Sequence, residues 1–223
     1  MVKLIIFDWD DVFTLGSKEG YFKCYNAVLE ELKIKLPPEE VKKRILSRWS
    51  QSYQSEIAEL LKENPELEQK GCEIYLKHLF GNTFIESLHC LSGIRELLQR
   101  LHEKYILTLA TGVHPLLLRE KIIPKFNIPD VFSHIITSQD LTDKTLSKPH
   151  PYIAEQLMRL TNTPKEQTVM VGDAENDVLM AKNAGITPIV VLTGHLKKNE
   201  AEELGVKYII NNITLLEDVL ERL

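Results

Sequence analysis

Cysteine is scarce in this 223-residue chain: Cys24, Cys72 and Cys90 are odd in number and widely spaced. Neither a disulfide framework nor a zinc site follows from such a set, and thiols in a reducing cytoplasm are the expectation. No apolar run approaches the roughly 20 residues of a membrane span, so no membrane partner is expected. Basic residues are not in excess, with 27 Lys and Arg against 32 Asp and Glu and a net charge of −5. The tightest basic cluster, Lys42-Lys43-Arg44, falls in a helical pattern among acids and reads as a solvated face rather than a nucleic-acid surface. The N-terminal segment reads as a strand with one lysine, not a signal peptide, which again points to the cytoplasm. Repeats and low-complexity segments are missing too. What remains is 43% hydrophobic and 26% charged, enough for a proper core in an ordinary globular chain.

Two changes of character organise the chain. Leu4-Ile5-Ile6-Phe7 is a short apolar run of the kind that forms a buried strand. Residues 18–82 then show helical periodicity and no convincing strand. Tyr21, Phe22, Tyr25, Val28, Leu29 and Leu32 make one apolar stripe. Pro37-Pro38-Glu39-Glu40 opens a second helix, with prolines and acids where a first turn tolerates them. Two more helices, around Ile57-Leu60-Leu61 and Ile74-Tyr75-Leu79, are separated near Asn64-Pro65. From about residue 93, helix alternates with apolar run. Strands are predicted at 106–110, 132–137, 168–171, 188–192 and 208–210, and helices at 93–103, 114–122, 150–160, 176–184 and 213–222. Alternation of that kind implies parallel βαβ units covered on both faces. The fold class is therefore α/β, with residues 1–16 and 86–223 forming one core and 17–85 an all-helical insertion.

Four places carry candidate chemistry. Asp8-Trp9-Asp10 follows the first strand, at the edge where open α/β sheets place their sites. Two carboxylates there can share a cation or divide the work of nucleophile and proton carrier, although turn residues or a helix cap would look the same. Thr111-Gly112 ends the second core strand and offers a hydroxyl and an amide to an anion; a plain turn is the alternative. Lys148 sits in Ser147-Lys148-Pro149-His150-Pro151, where prolines stiffen the approach of its ammonium or simply start a helix. Gly172-Asp173-Ala174-Glu175-Asn176-Asp177 follows another buried strand, with two acids at one mouth of the sheet. Either could cap the helix. Four carboxylates converging on one edge, however, require a divalent cation and a lysine to neutralise part of their charge. Oxygen ligands alone point to Mg²⁺ rather than zinc.

These four motifs, in this order and at these strand ends, resemble the haloacid dehalogenase-like hydrolase superfamily, of the phosphoglycolate phosphatase-like, helical cap type. The resemblance spans essentially the whole chain, with further matches at Lys148-Pro149-His150-Pro151 and Ala181-Lys182-Asn183-Ala184-Gly185. It implies a Rossmann-like parallel sheet core with an inserted helical cap domain. The implied activity is hydrolysis of a small phosphorylated metabolite by a phosphoric monoester hydrolase. Asp8 would be the nucleophile that becomes an aspartyl phosphate, and Asp10 the acid and base. Thr111, Gly112 and Lys148 would hold the phosphoryl group. Mg²⁺ would be held by Asp8, the Asp10 carbonyl and Asp173, with Asp177 orienting Lys148 or a metal-bound water. Arg48, Trp49, Gln51 and Tyr53 are candidates for cap specificity, Trp49 equally for helix packing. His150 reads as a helix-start residue and His195 as a candidate for the site rim.

The chain departs from the family pattern in places. Asp11 stands where glycine is common, Leu15 where many members carry another aspartate, and Ser92-Gly93 where Pro-Gly is frequent. Asp10 argues against a dehalogenase, which has no leaving alkoxide to protonate. A phosphosugar mutase would usually carry a hinge histidine where this chain has Gly20. A non-catalytic regulatory or binding module on the same scaffold is the remaining alternative.

Overall fold

The computed structural model of the chain describes residues 1–49 and 52–223. Gln51 lies outside the described residues. The chain divides into two compact units, one of Met1–Leu15 with His89–Leu223 and one of Gly16–Leu88. Among the described residues the first holds every strand: β1 (Leu4–Phe7), β2 (Thr14–Leu15), β3 (His89–Cys90), β4 (Ile106–Thr111), β5 (Phe132–Thr137), β6 (Thr168–Gly172), β7 (Thr187–Val191) and β8 (Tyr208–Ile210). Six of them form one sheet in the order β5-β4-β1-β6-β7-β8, and every pair in it is parallel. The chain builds outward from β1 in one direction and then returns to build in the other. The reversal falls between β1 and β6, and it opens a crevice at their C-terminal ends. Side chains of a strand alternate between faces, so the complete burial of Leu4, Ile5, Ile6 and Phe7 means that both faces of β1 are covered.

The helical unit contains α1 (Ser17–Glu31), α2 (Pro38–Ser47), α3 (Tyr53–Leu60), α4 (Glu68–Phe80) and α5 (Asn82–Ile85). Within the predicted stripe of α1, Tyr25, Val28 and Leu29 are buried, while Tyr21, Phe22 and Leu32 are half-buried. Pro38 takes the first helical position of α2, where its missing N–H costs nothing. Ser52 caps α3 by accepting from the Ser55 amide at 3.2 Å. Gly20 permits a close approach: a Cβ there would come 2.8 Å from the Phe84 ring.

The core helices are α6 (Ile94–His102), α7 (Pro115–Leu117), α8 (Ile123–Phe126), α9 (Tyr152–Leu160), α10 (Glu175–Ala184), α11 (Lys198–Glu203) and α12 (Leu216–Leu220). One apolar cluster joins Leu4 and Ile6 of β1 to Ile153, Ala154 and Leu157 of α9 and Met180 and Ala181 of α10. The helix predicted over 114–122 runs on to Phe126 through a π turn at Leu118–Ile122, just before Pro124, which has no N–H for a regular ladder. Sequence periodicity did not mark α11, whose only buried residue is Ala201, so it carries no apolar stripe. Nor did it mark β2 and β3, which pair antiparallel through Thr14–Cys90 and Leu15–His89 and are too short to show a period. No helix among the described residues is long and apolar enough to cross a membrane.

Candidate active site

Strand register places the candidate residues. Phe7 of β1 lies opposite Leu109 of β4 on one side and Val171 of β6 on the other. Asp8 therefore leaves the sheet one residue beyond that line, and Thr111 and Asp173 two residues beyond it. The Asp8 amide still donates to the Val171 carbonyl at 2.9 Å, so the loop starts from a fixed point. Trp9 then turns inward, fully buried, with its ring 5.3 Å from Phe13, which lies 5.1 Å from Phe7. This aromatic packing leaves the two flanking aspartates no choice of face. The turn closes through amides of Val12 and Phe13 on the Trp9 carbonyl and of Asp11 on the Thr14 carbonyl. Asp11 adopts φ 54°, a left-handed conformation that glycine takes freely and aspartate tolerates. Asp10 is half-buried, and its main chain bridges to Thr14.

Lys148 joins distant parts of the sequence. Its ammonium donates to Asp8 Oδ1 at 2.7 Å and to Asp177 Oδ1 at 2.6 Å. The other Asp177 oxygen accepts the amides of Asp173 at 3.2 Å and Ala174 at 3.1 Å. Asp177 thus ties the lysine to the start of α10. Gly172 makes this possible, because a Cβ at 172 would overlap the Asp177 side chain. Thr111 is buried and its hydroxyl oxygen accepts the Val113 amide at 3.2 Å, which leaves the hydroxyl proton to donate elsewhere. Gly112 is exposed, and nothing lies within 4 Å of where a Cβ would stand.

The electrostatics are those of a crowded anionic pocket. Burial pushes the Asp8 carboxyl up to about 6 even though Lys148 pulls it down. Asp173 is pushed up to about 9 by burial and by the Asp177 and Asp8 charges, against one hydrogen bond from the His195 amide. Burial works against the charge on Lys148, but Asp177 and Asp8 outweigh it and raise its pKa. Asp8, Asp173 and Asp177 bring carboxylate oxygens within 4.8 Å of one another. An all-oxygen set of three close carboxylates, with one ammonium between two of them, fits a hard divalent cation such as Mg²⁺.

The structure thus gathers Asp8, Lys148, Asp173 and Asp177 in direct contact or close range, with Thr111 and Gly112 at the neighbouring strand end. Arg48, Trp49 and Tyr53 lie in the helical unit. There Arg48 meets Glu59 at 3.4 Å, Trp49 stacks on Phe22 at 5.8 Å, and Tyr53 stacks on Tyr75 at 5.4 Å. His150 accepts the Tyr152 amide at 3.1 Å, a helix-start contact for α9. His195 reaches Asp173 through its backbone, donating to Oδ2 at 2.9 Å. The sequence marks His195 only as a rim candidate after a Thr-Gly pair that follows a strand, and nothing in it points to the amide.

A family model described as haloacid dehalogenase-like hydrolase matches residues 2–185. Among curated relatives, a glyceraldehyde 3-phosphate phosphatase from Pyrococcus furiosus is 27% identical, over 99% of this chain and 94% of its own. A phosphoglycolate phosphatase from Vibrio cholerae is 29% identical, over 74% and 73% of the two chains. The fold is shared with a haloacid dehalogenase-like hydrolase from Streptococcus pneumoniae, at a TM-score of 0.76, 18% identity and 98% coverage of both chains. By sequence model, fold and the placement of its four motifs, this chain belongs to the haloacid dehalogenase-like hydrolases.

Proposed function

We propose that this hydrolase is a Mg²⁺-dependent phosphatase that cleaves a small phosphorylated metabolite through an aspartyl-phosphate intermediate on Asp8. The observation that carries the reading is Lys148 held between Asp8 and Asp177 beside the buried Asp173. A half-buried cation beside a carboxylate at a sheet's switch point is suited to a phosphoryl group, whose charge must be offset while it moves. The relatives named above, phosphatases of glyceraldehyde 3-phosphate and of phosphoglycolate, support a small phosphorylated substrate. Three free cysteines accord with a cytoplasmic setting.

In the proposed first step an Asp8 oxygen attacks phosphorus and the ester oxygen departs, taking a proton from the Asp10 carboxyl. In the second, Asp10 takes a proton from water as that water attacks phosphorus, and Asp8 is released with inorganic phosphate. Thr111 donates its hydroxyl proton and Gly112 its amide to the phosphoryl oxygens. Lys148 neutralises part of their charge, and Asp177 keeps it aimed. Asp8, Asp173 and the Asp10 carbonyl would hold Mg²⁺, which supplies positive charge to the phosphoryl oxygens when bound.

The test is a panel of triose, glycolate, hexose and nucleoside phosphates and pyrophosphate, assayed for phosphate release in Mg²⁺ and in EDTA. Turnover of at least one small ester only with the metal is expected. Acid-quenched protein from the same reaction should carry phosphate on Asp8, read by peptide mass spectrometry. Release that is equal in EDTA, or phosphate on another residue, would contradict the reading.

A further inference from the structure

We propose that the turn Thr193-Gly194-His195, after β7, is the positioning element that sets the Asp173 carboxylate for its cation. The inference rests on the Mg²⁺ reading above and extends it to residues outside the four motifs. β7 ends at Val191, and the next residue, Leu192, is fixed by its amide on the Ile210 carbonyl at 2.9 Å. From that anchor two main-chain amides reach Asp173. The His195 amide donates to Asp173 Oδ2 at 2.9 Å, and the Leu196 amide donates to the Asp173 carbonyl at 2.9 Å. Side chain and backbone of one residue are thereby gripped by two consecutive amides.

Gly194 is what lets the turn come so near. A Cβ there would overlap the Asp173 carboxylate and lie 2.6 Å from Asp173 Cβ. No rotation of a neighbouring flexible tip relieves that overlap, because the crowded atoms are those of a short buried side chain. Thr193 adds the third tie, its hydroxyl donating to the Asp11 carbonyl. The same turn therefore fixes both the loop that bears Asp8 and Asp10 and the acid across the crevice from it. With Oδ2 committed to an amide, the Asp173 carboxylate cannot swing freely, and the oxygen it brings within 4.8 Å of Asp8 and Asp177 is delivered in one orientation.

A different arrangement would give the imidazole the active part, since Asp11, Asp173 and His195 can also bring ligand atoms within 4.8 Å of one another. The two are separable because the amide survives when the side chain is removed. The experiment is calorimetric titration of the full-length protein with Mg²⁺, with metal-free thermal unfolding recorded alongside, for wild type, Gly194→Ala, Thr193→Val, Thr193→Ser and His195→Ala. Gly194→Ala is expected to weaken Mg²⁺ binding by about 10- to 100-fold, the range seen when groups that orient a ligand are lost. Thr193→Val should weaken it several-fold and Thr193→Ser restore it, while His195→Ala stays within about threefold of wild type. If Gly194→Ala does not fold, the Val and Ser pair at 193 decides by the same measurement. Wild type that takes up no Mg²⁺ overturns the metal reading and this inference with it. Tight wild-type binding that Gly194→Ala and Thr193→Val leave unchanged overturns the inference alone, as does a His195→Ala loss equal to that of Gly194→Ala.

Discussion

Asp177 holds the Lys148 ammonium at 2.6 Å with one carboxylate oxygen and two backbone amides with the other. Both of its oxygens are thus engaged by protein, and in the proposed function Asp177 orients Lys148. Asp177→Asn keeps an acceptor for the amides but removes the charge that faces Lys148. A fall in kcat of about 10- to 100-fold is expected, with Mg²⁺ affinity changed less than by Asp173→Asn. Steady-state kinetics at several Mg²⁺ concentrations separate the two effects.

Lys148→Ala removes the cation shared by two buried carboxylates. Loss of one such preorganised charge typically costs about 10²- to 10³-fold in kcat, and a drop of that size is expected. Breaking a buried ion pair also leaves uncompensated charge, so urea unfolding at pH 8 should show a stability loss of about 3–5 kcal/mol in the metal-free protein. Added Mg²⁺ should recover part of the stability and little of the rate.

Gly172→Ala places a methyl group on the Asp177 side chain. Overpacking of this kind costs about 1–3 kcal/mol, and here it also displaces the partner of Lys148. Denaturant midpoints and kcat should fall together, whereas Gly112→Ala, with open space around its Cβ position, should lower activity and leave the midpoint near wild type.

Glu56 gives the helical unit a pH-dependent stability. It is buried, accepts a hydrogen bond from Tyr25, and burial pushes its carboxyl up to about 7. Tyr25 itself stacks on Tyr75 at 4.7 Å. The folded pKa is above the unfolded one, so the contribution to stability is fully present below the ordinary carboxylate range and is lost as pH rises through about 7. Glu56→Gln, always neutral, should match wild type near pH 4.5 and exceed it by on the order of 2–3 kcal/mol at pH 8. Urea midpoints across that range are the check; a wild-type advantage at pH 8 would contradict it.

The α/β core was legible because β1 is an unbroken apolar run, β4 and β6 are mostly apolar, and helices with clear stripes alternate with them. The acidic pairs were legible because each directly follows such a run. Lys148 was legible only in company: alone it is a lysine in a proline loop, and its partners lie 140 and 29 residues away. The His195 amide was not legible, because a backbone donor has no side-chain identity to read. Gly194 could be seen as a turn residue but not as one pressed against Asp173, a contact created by the neighbouring strands β6 and β7. Two-residue β2 and β3 and the stripe-less α11 carry no period from which to read them.

Phosphate release from the fastest ester of the panel, with and without Mg²⁺, for wild type and Asp8→Asn, tests the central claim most directly. The account predicts metal-dependent turnover that falls by more than about a thousandfold in Asp8→Asn, since the amide cannot act as the nucleophile. Turnover in rigorously pure Asp8→Asn at the wild-type rate would contradict it.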